Sequence, residues 1–296
     1  MLKIPLRAER STVPSMFQTE GFAPWRDFGA EAVWNDPANP HHPMLDANGR
    51  VWLTTRVQAV DNPDWCREGS DNPYAQYFPV DRAGRHTGYF DPVAQKFVLI
   101  HTCFGTHHLQ FAEDDDDTLY FSGGGQVVGW LNTKMYDETG DERASQGWCP
   151  TVLDTNGDGT ITKPWNEPAR RGEETDFDPA RDTRIIAGAY GVITNPLDDA
   201  IWIVSDRYPG ELVRLDPGDH PPETCVSELY TVPAEYGYRT RGLDVDRNGV
   251  LWAALAGSSH FASFDRSRCT VFNGPSVRNG RQCDEGWSFY KAPGPD

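Results

Sequence analysis

Histidine, arginine, aspartate and asparagine carry the chemistry this chain can do, and they fall into two patterns. The first is a pair of adjacent histidines that occurs twice, in "HHPMLDANGRVWLTTR" (His41, His42) and "THHLQFAEDDDDTLYF" (His107, His108). Imidazoles brought together bind a metal, polarise a carbonyl or move a proton near neutral pH. The second is "DTNGDGTITKPWNEP", where Asp154, Asn156 and Asp158 stand at positions 1, 3 and 5 of a calcium loop. Gly159 is at the sharp turn of position 6, and Thr160 offers its backbone carbonyl at 7. Position 12 is Trp165, where such loops have a bidentate glutamate; Glu167, two residues later, could take that place if the loop bends. Pro150, Pro164 and Pro168 exclude the paired helices of an EF-hand. We therefore expect an isolated Ca2+ loop that orders an inserted segment rather than doing chemistry.

The acidic run Asp114 to Asp117 offers a third candidate, which a count along the chain resolves differently. Four segments superpose: residues 41 onward, 107 onward, "YGVITNPLDDAIWIVSDR" and "RGLDVDRNGVLWAALAG". Each has an apolar strand, a polar turn and a second strand carrying an aromatic, Trp52, Tyr120, Trp202 or Trp252. These are hairpins. His41 lies eleven residues before Trp52, Arg241 eleven before Trp252, and His108 twelve before Tyr120. On this register the acidic run occupies the place of "ANG" and "RNG" and reads as a solvated turn with one insertion.

A third strand follows each hairpin ("HTGYFDP", "VVGWLNT", "GELVRLDP", "HFASFDR") and a fourth follows that ("KFVLI", "TRIIAG", "ELYTVP", "SFYKAP"). Four short antiparallel strands repeated at about 50 residues or more are the mark of β-propeller blades. The expected fold is all-β, a propeller of four-stranded antiparallel blades with about four visible. Residues 1–40 form a partial blade or extension, and 41–296 hold the blades, with the calcium loop inserted at about 134–182. The first strand of each blade lines the channel, so His41 or His42, His107 with His108, Tyr190 and Arg241 should ring one mouth. The competing reading leaves them as strand-end residues in water.

The pattern "GLDVDRNGVLWAALAGSSHFASFDR" resembles the repeat of the virginiamycin B lyase (streptogramin lyase) family and its NHL-like propeller relatives, over about residues 40 to 295. In that repeat a D-x-x-G-x-(V/L)-W hairpin leads to a G-x-(L/I)-x-R-(I/L)-D strand. The resemblance implies a seven-bladed ring, of which this segment would be a part. It also implies a lyase using a histidine pair, a glutamate and Mg2+ to abstract a proton alpha to an ester and open a lactone by elimination. The places matching the glutamate hold Thr55, Gly123, Asp206 and Leu255; only Asp206 is a carboxylate, and its blade has no matching histidine, so the positioned base of the elimination is not matched.

Composition bounds the rest. A formal charge of −17 without a basic cluster excludes nucleic acid and disfavours anionic membranes. The apolar runs are too short to span a bilayer, and "MLKIPLRAER" lacks the apolar core of a signal peptide. Six cysteines without a CxxC suit a periplasmic or secreted protein with disulfides, Cys269 with Cys283 being the favoured pair. Two function classes follow: a ligand-recognition or scaffold module, or a lyase or hydrolase at the histidine-lined mouth. The partner is a small molecule or carbohydrate at that mouth, or a protein. Trp65, Trp148 and Trp165, lying in insertions, are the candidates for stacking on sugar rings.

Overall fold

The computed structural model describes residues 4, 5, 7, 38–168, 177–187 and 190–294. The expected partial blade at 1–40 lies almost wholly outside the described residues, as do 169–176 of the expected insertion. The first sheet is a meander of β1 (His41–Leu45), β2 (Val51–Thr55), β3 (His86–Asp91) and β4 (Lys96–Ile100). The short helix α1 (Pro73–Tyr77) lies in the long connection between β2 and β3. The second sheet holds β5 (Leu109–Phe111), β6 (Thr118–Phe121), β7 (Val127–Asn132) and, after helix α2 (Thr133–Thr139), β8 (Gln146–Pro150). Next come β9 (Val152–Leu153) and β10 (Thr183–Arg184), which form the outer edge of a six-stranded third sheet. Its inner strands are β11 (Val192–Thr194), β12 (Ile201–Ser205), β13 (Glu211–Asp216) and β14 (Val226–Thr231). The fourth sheet is β15 (Thr240–Val245), β16 (Leu251–Leu255), β17 (His260–Phe264) and β18 (Trp287–Lys291).

One fourth strand differs from expectation. Thr183 and Arg184 of "TRIIAG" do not complete the second blade; they pair with β9 on the edge of the third. The second blade is completed by β8, "QGWCP". The cause is α2, whose first turn is capped by the Asn132 side chain accepting from Met135 N–H. It ends at Gly140 in the left-handed region (φ 66°), which turns the chain straight back onto β7.

Side-chain alternation decides how the sheets stack. In β12, Ile201 and Ile203 enter one apolar cluster with Val128 of the second blade, while Trp202 and Val204 enter another with Leu251 and Phe264 of the fourth. A strand apolar on both faces must lie between two layers. A third cluster, with Trp52, Tyr89, Leu119 and Phe121, joins the first blade to the second. The three clusters are thus the three blade-to-blade interfaces, and the first strands β1, β5, β11 and β15 touch in chain order along the inside. This is the propeller arrangement. The fourth blade is covered on one face: along β16 the pattern alternates buried and exposed, and Trp252 is 37% exposed where Trp202 is 0%.

All six cysteines are paired, as Cys66–Cys103, Cys149–Cys225 and Cys269–Cys283, the last being the pair expected. Cys149–Cys225 staples the second blade to the third. Among the described residues no helix is long and apolar enough to cross a membrane.

Candidate functional site: a histidine-lined mouth

Strand pairing places the first-strand residues in one register. The landmark aromatics Trp52, Tyr120, Trp202 and Trp252 lie opposite Met44, Gln110, Ile193 and Asp244. Three residues before each partner stand His41, His107, Tyr190 and Arg241, one from every blade. His107, not His108, is therefore the counterpart of His41. The second hairpin is two residues longer between these points than the first (Gln110 to Tyr120 against Met44 to Trp52), so counting back from the aromatic misaligns it. The extra residues lie ahead of Asp114, whose carboxylate accepts from Thr118 N–H (2.8 Å), as Asp46 accepts from Arg50 N–H (2.9 Å). Asp114 to Asp117 is the turn expected.

In the first and fourth blades the register shifts just after this position, between His41 and Met44 and between Thr240 and Leu243. Such bulges re-aim side chains at sheet rims. Hydroxyls then tie neighbouring blades beside the mouth: Thr54 Oγ1 donates to the His107 carbonyl (2.7 Å) and Ser122 Oγ to the Tyr190 carbonyl (2.5 Å). Thr240 Oγ1 donates to the Ser205 carbonyl.

The rings meet as a chain of contacts. His41 and His107 have centroids 4.5 Å apart, His107 and His108 stack at 4.5 Å, and His42 lies 4.8 Å from His108. Tyr190 packs edge-on against His108 at 4.6 Å, and the Arg241 guanidinium sits 4.1 Å over the Tyr190 ring. Ligand atoms of His41, His107 and His108 all lie within 4.8 Å of one another. Two nitrogens about 2.1 Å from one tetrahedral ion lie roughly 3.4 Å apart, so the three rings would close inward on an ion.

Electrostatics keep His41, His42 and His108 neutral. Burial, then the charges of His107, His42, His41 and Arg241, pushes His108 down to about 3. Burial, then Arg85, Arg56 and His42, lowers His41. His42 is lowered by burial, and its Nδ1 accepts from Leu109 N–H (3.2 Å), which leaves the proton on Nε2. Neutral imidazoles near pH 7 keep the lone pairs a metal requires.

An all-imidazole set suits zinc, nickel or copper and not magnesium, which demands oxygen ligands. The Mg2+ implied by the sequence resemblance therefore does not fit this mouth. Asp206 is exposed. Counting overlooked Glu211, a carboxyl at the same end of the third blade, which pairs with Ser205 and is raised by burial; it opens a third strand instead of closing a second one. Trp148 and Trp165 are buried and offer no stacking face to a sugar.

The calcium-loop residues lie elsewhere, against the loop closed by Cys269–Cys283: the Asp154 carbonyl accepts from Gly274 N–H (2.7 Å). Glu167 does not turn toward Asp154. Its Oε1 accepts from Trp165 Nε1 (2.7 Å) and its Oε2 pairs with Arg184 (2.5 Å).

Fold and site together define a β-propeller with a cluster of histidines where its first strands begin. No family model matches the sequence, and no curated protein does. Among solved structures the chain is similar to a streptogramin B lyase, at 11% identity and a TM-score of 0.43, covering 88% of this chain and 70% of that one. A catalytically inactive virginiamycin B lyase from Staphylococcus aureus, solved with quinupristin, is similar at 11% identity and 0.43, over 86% of this chain and 56% of that one. The calcium-binding protein regucalcin from Agrobacterium tumefaciens follows at 13% and 0.28, over 86% and 75%. The likeness is one of propeller architecture, and the functional argument stands on the residues themselves.

Proposed function

We propose that the protein is an exported propeller that binds a small, oxygen-rich molecule at its mouth through a divalent ion of the zinc class held by His41, His107 and His108. The observation supporting this is the mutual approach of their ligand atoms, all within 4.8 Å, on rings drawn from two blades. Such an ion, when bound, polarises a carbonyl and acidifies a water, which favours metal-assisted hydrolysis of an ester or lactone. The elimination implied by the sequence resemblance needs a carboxylate base at one of four positions, and none of Thr55, Gly123, Asp206 and Leu255 supplies it at the mouth.

The surrounding residues suit that chemistry. His42, neutral with its proton on Nε2, can hydrogen-bond a leaving oxygen beside His108. Arg241, stacked on Tyr190, has its Nε buried without a hydrogen-bond partner among the described residues, a donor suited to a carboxylate or developing oxyanion. Three disulfides support export. The Ca2+ expected at the loop plays no part in this reading.

Zinc titration of the EDTA-stripped protein by calorimetry, followed by a panel of ester and lactone substrates, tests it. One zinc per chain is expected, weakened at least about 100-fold in His107→Ala. Zinc binding that is absent, or unchanged in that variant, removes the metal site. Stoichiometric zinc without turnover returns the mouth to ligand recognition.

A further inference from the structure

The loop from Asp154 to Thr160 has the internal bonds of a tight polar turn. Asp154, 3% exposed, accepts from Gly157 N–H (2.7 Å) and Gly159 N–H (2.9 Å). Asn156 Oδ1 accepts from Asp158 N–H and Asp158 Oδ1 from Thr160 N–H, both at 2.9 Å. Gly157 and Gly159 have φ of 82° and 85°, a region where a side chain would be strained. None of this requires an ion, since Asx turns form without one.

Asp182 does require something. It is 0% exposed; its Oδ2 accepts from Thr162 N–H (2.9 Å), while its Oδ1 is buried without a well-formed hydrogen bond, the Asn156 N–H of the loop also favouring the carboxylate. Thr162 is the ninth residue counted from Asp154, so the side chain reaches the loop from twenty-eight positions along the chain (182 − 154). Burial raises the proton affinity of Asp182, and the nearby charges of Asp154 and Asp158 raise it further. A buried carboxylate oxygen without a full set of hydrogen bonds is costly, and two like charges beside it add to that. One divalent cation ligated by hard oxygens relieves all three groups.

We propose that Asp182, in place of the sequence-predicted Glu167, completes a calcium site with Asp154, Asn156, Asp158 and the Thr160 carbonyl. The Arg184 and Trp165 partners of Glu167 hold it in an unrelated ion pair, and Asp182, the residue just before β10, stands in its stead. The ion would also fasten the Cys269–Cys283 loop, because Asn273 Nδ2 donates to Asp154 Oδ2 (3.2 Å) and Gly274 N–H to the Asp154 carbonyl (2.7 Å). The site is separate from the histidine mouth, and its fate does not depend on that reading.

Calcium titration of the calcium-stripped full chain by calorimetry, with thermal melts in EDTA and in calcium, tests the assignment. One calcium per chain is expected, with a rise in Tm. Asp182→Asn should weaken binding roughly tenfold or more, while its Tm in EDTA stays equal or rises because a buried charge has gone. Glu167→Gln should bind within about threefold of wild type, since that side chain supplies no ligand charge. Wild-type affinity in Asp182→Asn, loss of affinity in Glu167→Gln, or no binding to the parent chain would overturn the proposal. Should Asp182→Asn fail to fold, the exposed Asp158→Ala serves instead: a roughly tenfold loss supports the site, and unchanged affinity overturns it.

Discussion

The mouth and the acidic loop are both concentrations of ligand atoms, but they are assembled in opposite ways. The mouth takes one residue from each of four blades at one structural position, so its geometry depends on packing between blades. The loop takes its ligand residues from seven consecutive positions and borrows a single distant carboxylate. Rigid strands bring soft nitrogen donors together in the first; a flexible polar segment arranges hard oxygens in the second. Damage to the stacked blades should therefore dismantle the mouth first, and damage to the inserted segment should spare it.

The largest expected effect is on the interface behind the mouth. Trp52 fills the cluster between the first and second blades, which carry His41, His107 and His108, so Trp52→Ala should cost up to about 5 kcal/mol in urea unfolding. It should weaken zinc at the mouth before calcium at the loop. The reverse order would break the comparison.

Acid comes next. His86 is pushed down to about 4 by burial, its ring held between the Ala59 carbonyl and Thr102, and His101, stacked on it at 4.0 Å, is pushed to about 3, also mainly by burial. Both folded values lie below the ordinary 6.5, so the unfolded chain binds more protons and stability falls as pH falls from about 6.5 toward the folded values. At pH 5 each ring accounts for about 2 kcal/mol, about 4 together. Urea midpoints at pH 7 and pH 5 check this, and His86→Gln should flatten the slope by about half.

A disulfide sharpens the contrast from the other side. Cys269→Ser with Cys283→Ser opens a loop of sequence separation 14 and should cost about 3 kcal/mol. Because Asn273 and Gly274 in that loop bind Asp154, calcium affinity should fall while zinc affinity holds. The smallest effect belongs to Trp252→Ala, which removes a side chain 37% exposed at the same blade position as Trp202 and should cost under about 1 kcal/mol.

Much of this was legible before any coordinates. The hairpin repeats, the turn role of Asp114 and the residues of the mouth follow from counting along the chain, because blade strands are short and their alternation is strict. Three things were not. The strand "QGWCP" is buried throughout and so shows no alternation, and its place depends on the turn made by α2. The equivalence of His107 with His41 was hidden by extra residues in a turn, which shift a count without shifting a sheet register. Asp182 carries no local signal at all, standing next to Thr183 of an edge strand that was assigned to another blade.

What the sequence determined by itself was repetition and local ligand chemistry: hairpins recurring at intervals of 50 to 82 residues, and an Asp–Asn–Asp–Gly loop whose oxygens are close because the chain is short between them. Tertiary structure alone decided which distant groups meet. Backbone propensity and side-chain pattern act over a few residues, whereas the approach of His41 to His107, and of Asp182 to Asp154, follows from how whole sheets stack on buried faces. That is a property of the packed molecule, and no single stretch of the chain contains it.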